Sequence, residues 1–349
     1  MFNPVQAPKH HLKSLTGKQG GVALVMVLLI LAIMTTLAAT MSKRLWQHFY
    51  RAEALNTQQQ AYWYGLGVEQ LAIAILKKDI ADNEVVNLSQ NWARGEQTFP
   101  IDEATTVGKI TDMQRCLNVN ALAVANEGDG VNRPYLVEVL QRTLEQAQIE
   151  PYQAETVADS VWEYLDLDDA VQSAFGAEDS YYAGQNPGYL TANGVIADIS
   201  ELRAIQGVTP KMMGQITPLL CALPDTRWLL NINTITADQA PILAALLYPS
   251  ISLSQVQQLI EQRPYDGWSD LDSFWLEPAL SGLDDATKDR AVNYLTTTSH
   301  YFELDAEIQL EPARVRERAL LKRNADDQFE VVRRRYGGVR ERAPDDSTK

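Results

Sequence analysis

The sequence predicts an α+β protein with a long N-terminal helix, an antiparallel sheet and a large block of further helices. The long helix is indicated by residues 22–64, which contain neither Gly nor Pro. Helical patterns broken by Pro and Gly dominate residues 132–298. In residues 301–310 the apolar side chains instead alternate, which is typical of a half-buried strand. Strand-like patterns also occur in residues 82–114, so they lie on both sides of the helical block.

The overall composition narrows the possible functions. The chain has 349 residues, enough for two or three domains, and a formal net charge of −15. This acidic excess disfavours a general surface for nucleic acid or for an anionic membrane. Only four histidines occur and the two cysteines form no CxxC pair, which disfavours His-built metal sites, zinc ribbons and redox motifs. The sequence contains no GxSxG, HExxH, P-loop or GxGxxG motif, so we expect a protein that is not an enzyme.

An apolar run near the N-terminus is long enough to cross a membrane. Residues 22–41 carry no charge, and twenty helical residues at about 1.5 Å each span roughly 30 Å, the thickness of a bilayer core. A cleaved secretory signal usually has a shorter apolar core. The helical pattern continues past the run with an apolar face that we expect to pack on a soluble domain. That face contains Leu45, Phe49, Ala52 and Leu55.

The segment that precedes this run resembles the leader of type IV pilin-like prepilins. In that family a prepilin peptidase cuts a short basic leader after Gly, and the apolar helix is kept. The matching residues are Lys18-Gln19-Gly20-Gly21, so the resemblance implies a cut between Gly21 and Val22. Pilins usually carry Glu at the fifth mature position, where it pairs with the neighbouring subunit, but this chain has Met26. Because a subunit without that Glu lacks the pairing group, we expect it at the end of a filament.

Later segments make the chain similar to the minor pseudopilin K family of bacterial type II secretion systems. The segments that carry this resemblance are GGVALVMVLLILAIMTT, CLNVNAL, DLDDAVQSAFGAEDSYY, ELRAIQGVTP and LNINTITADQ. The resemblance implies a type IV pilin-like fold with a large all-α domain inserted into the sheet region. The implied parts are a leader (1–21), a transmembrane and amphipathic helix (22–81), a first pilin-like part (82–131), the inserted helical domain (132–298), C-terminal strands (299–337) and a disordered tail (338–349).

One loop of the helical block is rich in carboxylates. It contains Asp166, Asp168, Asp169, Glu178 and Asp179. Such closely spaced carboxylates repel one another unless a cation lies among them, and their oxygen atoms suit Ca²⁺. The spacing is not that of an EF-hand. Acids adjacent in one loop are also a poor match to glycoside hydrolysis, which needs carboxylates on opposite walls of a cleft. From the residues alone, a calcium site and a solvated acidic loop both remain open.

The resemblance to pseudopilin K implies that this loop binds structural Ca²⁺ through those five carboxylates. Asn193, Asp198 and Glu201 could complete a second site. The resemblance also places the two cysteines, Cys116 and Cys221, outside the cytoplasm, where disulfides persist. A bond between them would tie the sheet to the helical domain, and the alternative is a pair of buried free thiols.

The resemblance implies a subunit that assembles rather than catalyses. We expect it at the tip of the secretion pseudopilus, anchored in the inner membrane with its soluble domain in the periplasm. The expected partners are prepilin peptidase and the minor pseudopilins I and J, with no nucleic acid. An alternative comes from residues 202–210 and 231–271, which resemble helix-hairpin-helix modules. Such modules often bind DNA phosphates, so a membrane-anchored DNA-binding protein of a competence-like system is the rival interpretation, although the acidic charge opposes it.

Overall fold

A computed structural model describes residues 20–81, 83–124 and 133–337 of the chain. The predicted leader lies almost wholly outside the described residues, and so does the predicted tail. Internal contacts divide the chain into two compact units, residues 1–59 and residues 60–349.

A single helix, α1, runs without a break from Gly20 to Ala81. It confirms the continuous helix predicted from the absence of Gly and Pro, and it includes both Gly21 and Val22. Its apolar part contains an 18-residue window of mean hydropathy 2.8, which is long and apolar enough to cross a membrane.

The remaining elements follow in a strand–helix–strand arrangement. The strands are β1 Gln97–Ile101, β2 Ala104–Asp112, β3 Leu117–Asn118, β4 Leu220–Cys221, β5 Leu230–Asn231, β6 Leu295–Thr296, β7 Tyr301–Leu310, β8 Ala313–Arg323 and β9 Phe329–Tyr336. The helices are α2 Tyr135–Gln146, α3 Pro151–Leu165, α4 Asp179–Tyr182, α5 Pro210–Ile216, α6 Ala240–Leu246, α7 Leu253–Glu261, α8 Leu271–Trp275 and α9 Asp285–Ala291.

The five longest strands form one antiparallel sheet in the order β1-β2-β7-β8-β9. Strands β2 and β7 are neighbours in this sheet, although helices α2 to α9 lie between them in the sequence. The helical block is therefore inserted between two adjoining strands. These elements confirm the predicted α+β class with its long helix, antiparallel sheet and inserted helices.

Strand β7 confirms the predicted alternation. On one face of the strand, the side chains of Phe302, Leu304, Ala306, Ile308 and Leu310 are all buried. On the other face, Arg316 Nη2 donates to Asp305 Oδ2 at 2.8 Å, and Arg314 Nη2 donates to Glu307 Oε2 at 2.6 Å. These bonds pair acids of β7 with arginines of β8 across the sheet, and each such pair contributes about 0.2–1 kcal/mol.

The end of α1 packs on this sheet in the second unit. Its buried face contains Ala61, Val68, Ala72, Leu76 and Ile80, which share a core with Phe302 and Leu304. The four side chains of the face predicted at Leu45 to Leu55 are exposed and lie in the first unit, so the packing of this face on a soluble domain stays a prediction. A helical stripe predicts that a face is apolar, but it does not say whether the partner belongs to the same chain.

Buried polar contacts and a disulfide join the helical domain to the sheet. Asp112, at the end of β2, accepts hydrogen bonds from Thr234 Oγ1 at 2.5 Å and from Ser299 Oγ at 2.7 Å. Cys116 and Cys221 form a disulfide with an S–S distance of 2.05 Å. The disulfide packs against sheet residues in a small core of its own. The insertion is thus fixed to the strands from which it departs.

The helical domain contains one local unit twice. The motif Leu-Asn-x-Asn ends at Asn120 and again at Asn233. The side chain of Asn120 accepts from the backbone N–H of Ile196 and donates to its carbonyl oxygen, both at 2.9 Å. Asn233 makes the same pair of bonds with Trp268, at 2.8 and 2.9 Å. The two asparagines therefore have equivalent structural roles.

The elements around the two motifs correspond as well. Helices α2 and α3 follow the first motif, and the parallel bridge β3–β4 completes that copy. Helices α6 and α7 follow the second motif, and the parallel bridge β5–β6 completes it. Residues 166–195 connect α3 to Ile196, whereas only residues 262–267 connect α7 to Trp268. The acidic loop is therefore additional to the repeated unit.

The helical domain starts earlier than the sequence predicted. Its first copy begins at β3, whereas the predicted start was residue 132.

A glycine substitution tests the repeated asparagine contact. Gly267 has φ +76°, and an added Cβ would lie 2.6–2.8 Å from the buried amide group of Asn233. We expect Gly267→Ala to destabilise residues 60–349 by about 2 kcal/mol or more, through backbone strain and displaced hydrogen bonds. Urea unfolding measures this.

The matched control is Gly214→Ala in α5, where an added Cβ would meet nothing within 4 Å. Because Ala favours a helix over Gly, this change should stabilise by up to about 1 kcal/mol. Equal unfolding midpoints for the two variants would contradict the assigned contact.

Candidate metal centre

Helix α3 positions the first carboxylates of the acidic loop. Its start is fixed by Pro151 in the first turn and by Glu150, whose side chain accepts from the Gln153 N–H. Glu163 and Asp166 are one helical turn apart at its other end, so their side chains share one side. Asp166 is the C-cap and has an extended backbone.

Three buried carboxylates meet beyond this helix end. Glu163, Asp166 and Glu178 each place an oxygen within 4.8 Å of the other two. Their residues are 0%, 4% and 2% exposed. Glu163 Oε1 accepts from the N–H groups of Gln172 and Ser173 at 2.9 and 2.5 Å. The other five oxygens have no hydrogen-bond partner among the described residues.

Such a cluster is unstable without a counter-charge. A buried, unpaired carboxylate carries a desolvation penalty of several kcal/mol, and three of them also repel one another. The C-terminal end of α3 adds a further partial negative charge. No Lys, Arg or His occurs anywhere in residues 143–202. The arrangement can therefore hold a divalent cation, because a cation would satisfy several unpartnered oxygens at once.

A second group of carboxylates adjoins the first and shares Glu178 with it. Asp169, Glu178 and Asp179 also place one oxygen each within 4.8 Å of the others. Asp179 Oδ1 accepts from the N–H and Oγ1 of Thr191 at 2.9 and 2.6 Å, and these bonds lower the pKa of Asp179. Asp169 Oδ1 accepts from Asn193 Nδ2 at 2.7 Å. This second group is more exposed than the first.

The structure does not unite every residue that the sequence suggested. Asp168 lies in neither group, and its two oxygens accept from Ala170 N and Gln172 Nε2. Asp198 and Glu201 instead form a capping box at the start of a 3-10 helix. Asp198 also pairs with Arg335 of β9.

Sequence reasoning missed Glu163, the most buried member of the cluster. It lies inside a predicted helix rather than in the acidic loop, so loop composition did not reveal it. The available signal was its spacing of three residues from Asp166, which places both carboxylates on one side of the helix. Gly176 permits the approach, since an added Cβ there would lie 2.4 Å from Glu163 Cγ.

The carboxyl groups of Asp166 and Glu178 hold protons unusually strongly. Burial, followed by repulsion from Asp168 and Glu163, raises the pKa of Asp166 to about 7. Burial, followed by repulsion from Asp166 and Glu163, raises the pKa of Glu178 to about 8. At neutral pH a bound metal ion would therefore compete with protons for these oxygens.

Two family models of type II secretion system protein K match this chain, over residues 115–225 and 230–297. The type II secretion system protein K of Aeromonas hydrophila is 36% identical over 334 residues, which is 92% of this chain and 98% of that relative. The chain belongs to the type II secretion system protein K family. The protein K of Klebsiella pneumoniae is also 36% identical, over 92% of this chain and 97% of its own length. The two matched regions coincide with the two copies of the repeated unit.

A solved protein K homologue has the same architecture. It belongs to the crystal structure of the GspK-GspI-GspJ complex from enterotoxigenic Escherichia coli. Its TM-score is 0.77 at 34% identity, over 82% of this chain and 99% of that chain. This match confirms the predicted resemblance to pseudopilin K and its mixed α/β fold. The protein K family is one of structural secretion-system pseudopilins and is not a known enzyme family.

The raised pKa values predict how pH acts on the metal-free protein. Protons bind Asp166 and Glu178 more tightly in the folded chain than in the unfolded chain, where carboxyl pKa values are about 4. The chelated protein should therefore lose stability as pH rises from about 4 through 7 to 8, as both groups ionise. Added Ca²⁺ should raise the melting temperature more at pH 8 than at pH 6. Melting curves with Ca²⁺ or with a chelator measure both effects.

The control for this pH dependence is the double variant Asp166→Asn/Glu178→Gln, which should show a flatter pH profile and no Ca²⁺ effect. A chelated wild-type protein whose profile matches that of the double variant would contradict the assignment.

Glu163 provides a second test of the metal centre. Glu163→Gln removes one charged ligand from the buried group and should weaken Ca²⁺ binding by tenfold or more. The matched control is Glu155→Gln, eight residues earlier on the same helix, which should bind as the wild type does. Isothermal titration calorimetry compares the variants, and equal affinities for all three proteins would exclude Glu163 as a ligand.

Proposed function

We propose that this protein is the minor pseudopilin at the tip of its type II secretion pseudopilus. There it supports pseudopilus assembly and the export of folded proteins across the outer membrane. The observation that carries this proposal is the match to a protein K solved together with GspI and GspJ. The partners are therefore the minor pseudopilins I and J of the same secretion system.

A terminal position is favoured by two features of the chain. Met26 occupies the position at which pilins usually carry the Glu that pairs with a neighbouring subunit. The helical domain adds a second core, inserted between β2 and β7, beside the core shared by α1 and the sheet. A subunit with such an insertion and without the pairing Glu suits the end of a filament better than its interior.

Processing and location follow from the N-terminal residues. Prepilin peptidase cuts between Gly21 and Val22, and the apolar part of α1 then anchors the protein in the inner membrane. The remainder of the chain lies in the periplasm. The disulfide between Cys116 and Cys221 supports an oxidising compartment for that part of the chain.

The metal centre has a structural role and takes Ca²⁺. Glu163, Asp166 and Glu178 hold one ion, and Asp169 and Asp179 extend the ligand set around the shared Glu178. Five unpartnered oxygens and an all-oxygen donor set fit a hard cation that accepts six to eight oxygen ligands. When bound, the ion neutralises the carboxylates and links α3 to the rest of the acidic loop.

The rival DNA-binding function has less support. A hairpin that binds phosphate must leave its backbone N–H groups open to the ligand. Gly207, at the turn of the first hairpin, packs on α3, since an added Cβ would lie 3.1 Å from Val157 Cγ2. Each of the two hairpin segments, residues 202–210 and 231–271, contains one basic residue, in a chain with a net charge of −15. Both observations favour a structural use of these hairpins.

The mass of the mature protein tests the proposal. In cells with prepilin peptidase, intact mass spectrometry should show a chain that begins at Val22. Cells without the peptidase provide the control and should retain residues 1–21. A mature chain beginning at Ala39 or later, as after an ordinary signal peptidase, would contradict the proposal. A processed chain that fails to co-purify with I and J would contradict only the partner assignment.

A further inference from the structure

Positive charge is concentrated at the two ends of the apolar run. Residues 1–52 contain six Lys and Arg residues and no Asp or Glu, although the whole chain has a net charge of −15. Three of these basic residues precede the run. The other three are Lys43, Arg44 and Arg51. Bacterial membrane proteins usually avoid basic residues on the translocated side of a span. Because these three residues lie on that side, we expect an anionic partner to bind them there.

The helix places these residues at a defined depth. Helix α1 continues past Met41 without a break. At about 1.5 Å per residue, Lys43 and Arg44 lie roughly 3–5 Å beyond the end of the apolar run. The headgroup layer on each side of a bilayer is roughly 5–8 Å thick. Arg51 is seven residues, or two turns, after Arg44 and therefore lies on the same face.

Aromatic residues occupy the same stretch of helix. Trp46, Phe49 and Tyr50 are 70%, 72% and 53% exposed. The rings of Trp46 and Tyr50 stack with their centroids 5.6 Å apart. Trp and Tyr are enriched at headgroup depth, where the apolar ring can contact the hydrocarbon and the polar N–H or O–H group can contact headgroups or water. Trp46 is about 200° around the helix from Arg44, so aromatic and basic side chains together encircle it.

The basic side chains lack partners within the described part of the chain. None of Lys43, Arg44 and Arg51 forms an ion pair there, and the first acidic residue of the sequence is Glu53. All three are exposed. Their charge is therefore available to a ligand outside the chain.

We propose that residues 43–51, the basic–aromatic collar, bind the phosphate headgroups of anionic phospholipids in the outer leaflet of the membrane that α1 spans. This inference rests on the proposed membrane anchoring. Anionic headgroups match the charge and the depth of Lys43 and Arg44. The collar fixes the depth of the helix and holds the subunit in the membrane until it is assembled.

Lipid retention by the full mature chain tests the collar. The protein is inserted into nanodiscs that contain equal amounts of phosphatidylglycerol and phosphatidylcholine, and native mass spectrometry then identifies the lipids that stay bound. We expect phosphatidylglycerol to be enriched. Lys43→Gln/Arg44→Gln should lower that enrichment by about fivefold for each charge removed. The matched control, Lys78→Gln/Lys109→Gln, removes two exposed charges elsewhere in the chain and should retain lipid as the wild type does.

The outcomes separate the collar from the anchor. A chain that enters nanodiscs but retains both lipids equally overturns the collar and leaves the anchor intact. Equal enrichment in the wild type and in Lys43→Gln/Arg44→Gln also overturns it. If that variant keeps its lipids but loses co-purification with I and J, the basic residues bind an acidic neighbouring subunit and the proposal is wrong. A chain that enters no nanodisc at all contradicts the anchoring itself.

Discussion

The two ends of the helical insertion must meet, because β2 and β7 pair side by side although about 190 residues separate them. Closing a flexible loop of that length costs roughly 5 kcal/mol of chain entropy. The buried contacts of Asp112 with Thr234 and Ser299 offset part of this cost, and the disulfide at Cys116 shortens the span to be closed. The sheet is therefore complete only when the helical domain is folded.

The buried carboxylates are the electrostatic weak point of that domain. Glu163, Asp166 and Glu178 lie where α3 ends, and the neighbouring sequence supplies no basic side chain. The chain after them rejoins the repeated core at Ile196. The backbone N–H and carbonyl oxygen of Ile196 both form hydrogen bonds with the side chain of Asn120. A bound cation would thus stabilise the domain whose folding completes the sheet. Protonation is the alternative way to relieve the same repulsion when no metal is present.

The repeated unit explains how an acidic loop can be tolerated. The second copy joins α7 to Trp268 through six residues, with Gly267 in a left-handed conformation against Asn233. The first copy makes the equivalent asparagine contact after a connection of thirty residues, 166–195. The core contacts of the unit are preserved in both copies. The candidate metal centre therefore lies in the longer connection of the first copy.

Local patterns in the sequence determined the long helix α1, the alternation of β7 and the presence of a carboxylate-rich loop, because each depends on residues close together in the chain. With only two cysteines, one pairing was possible, and the sequence left open whether it forms. Only the tertiary structure decided that Glu163 joins the buried group while Asp168 stays outside. The three-residue spacing of Glu163 and Asp166 indicates a shared side of the helix, but it does not say that Glu178 approaches the same place, because that depends on how the loop after α3 folds back.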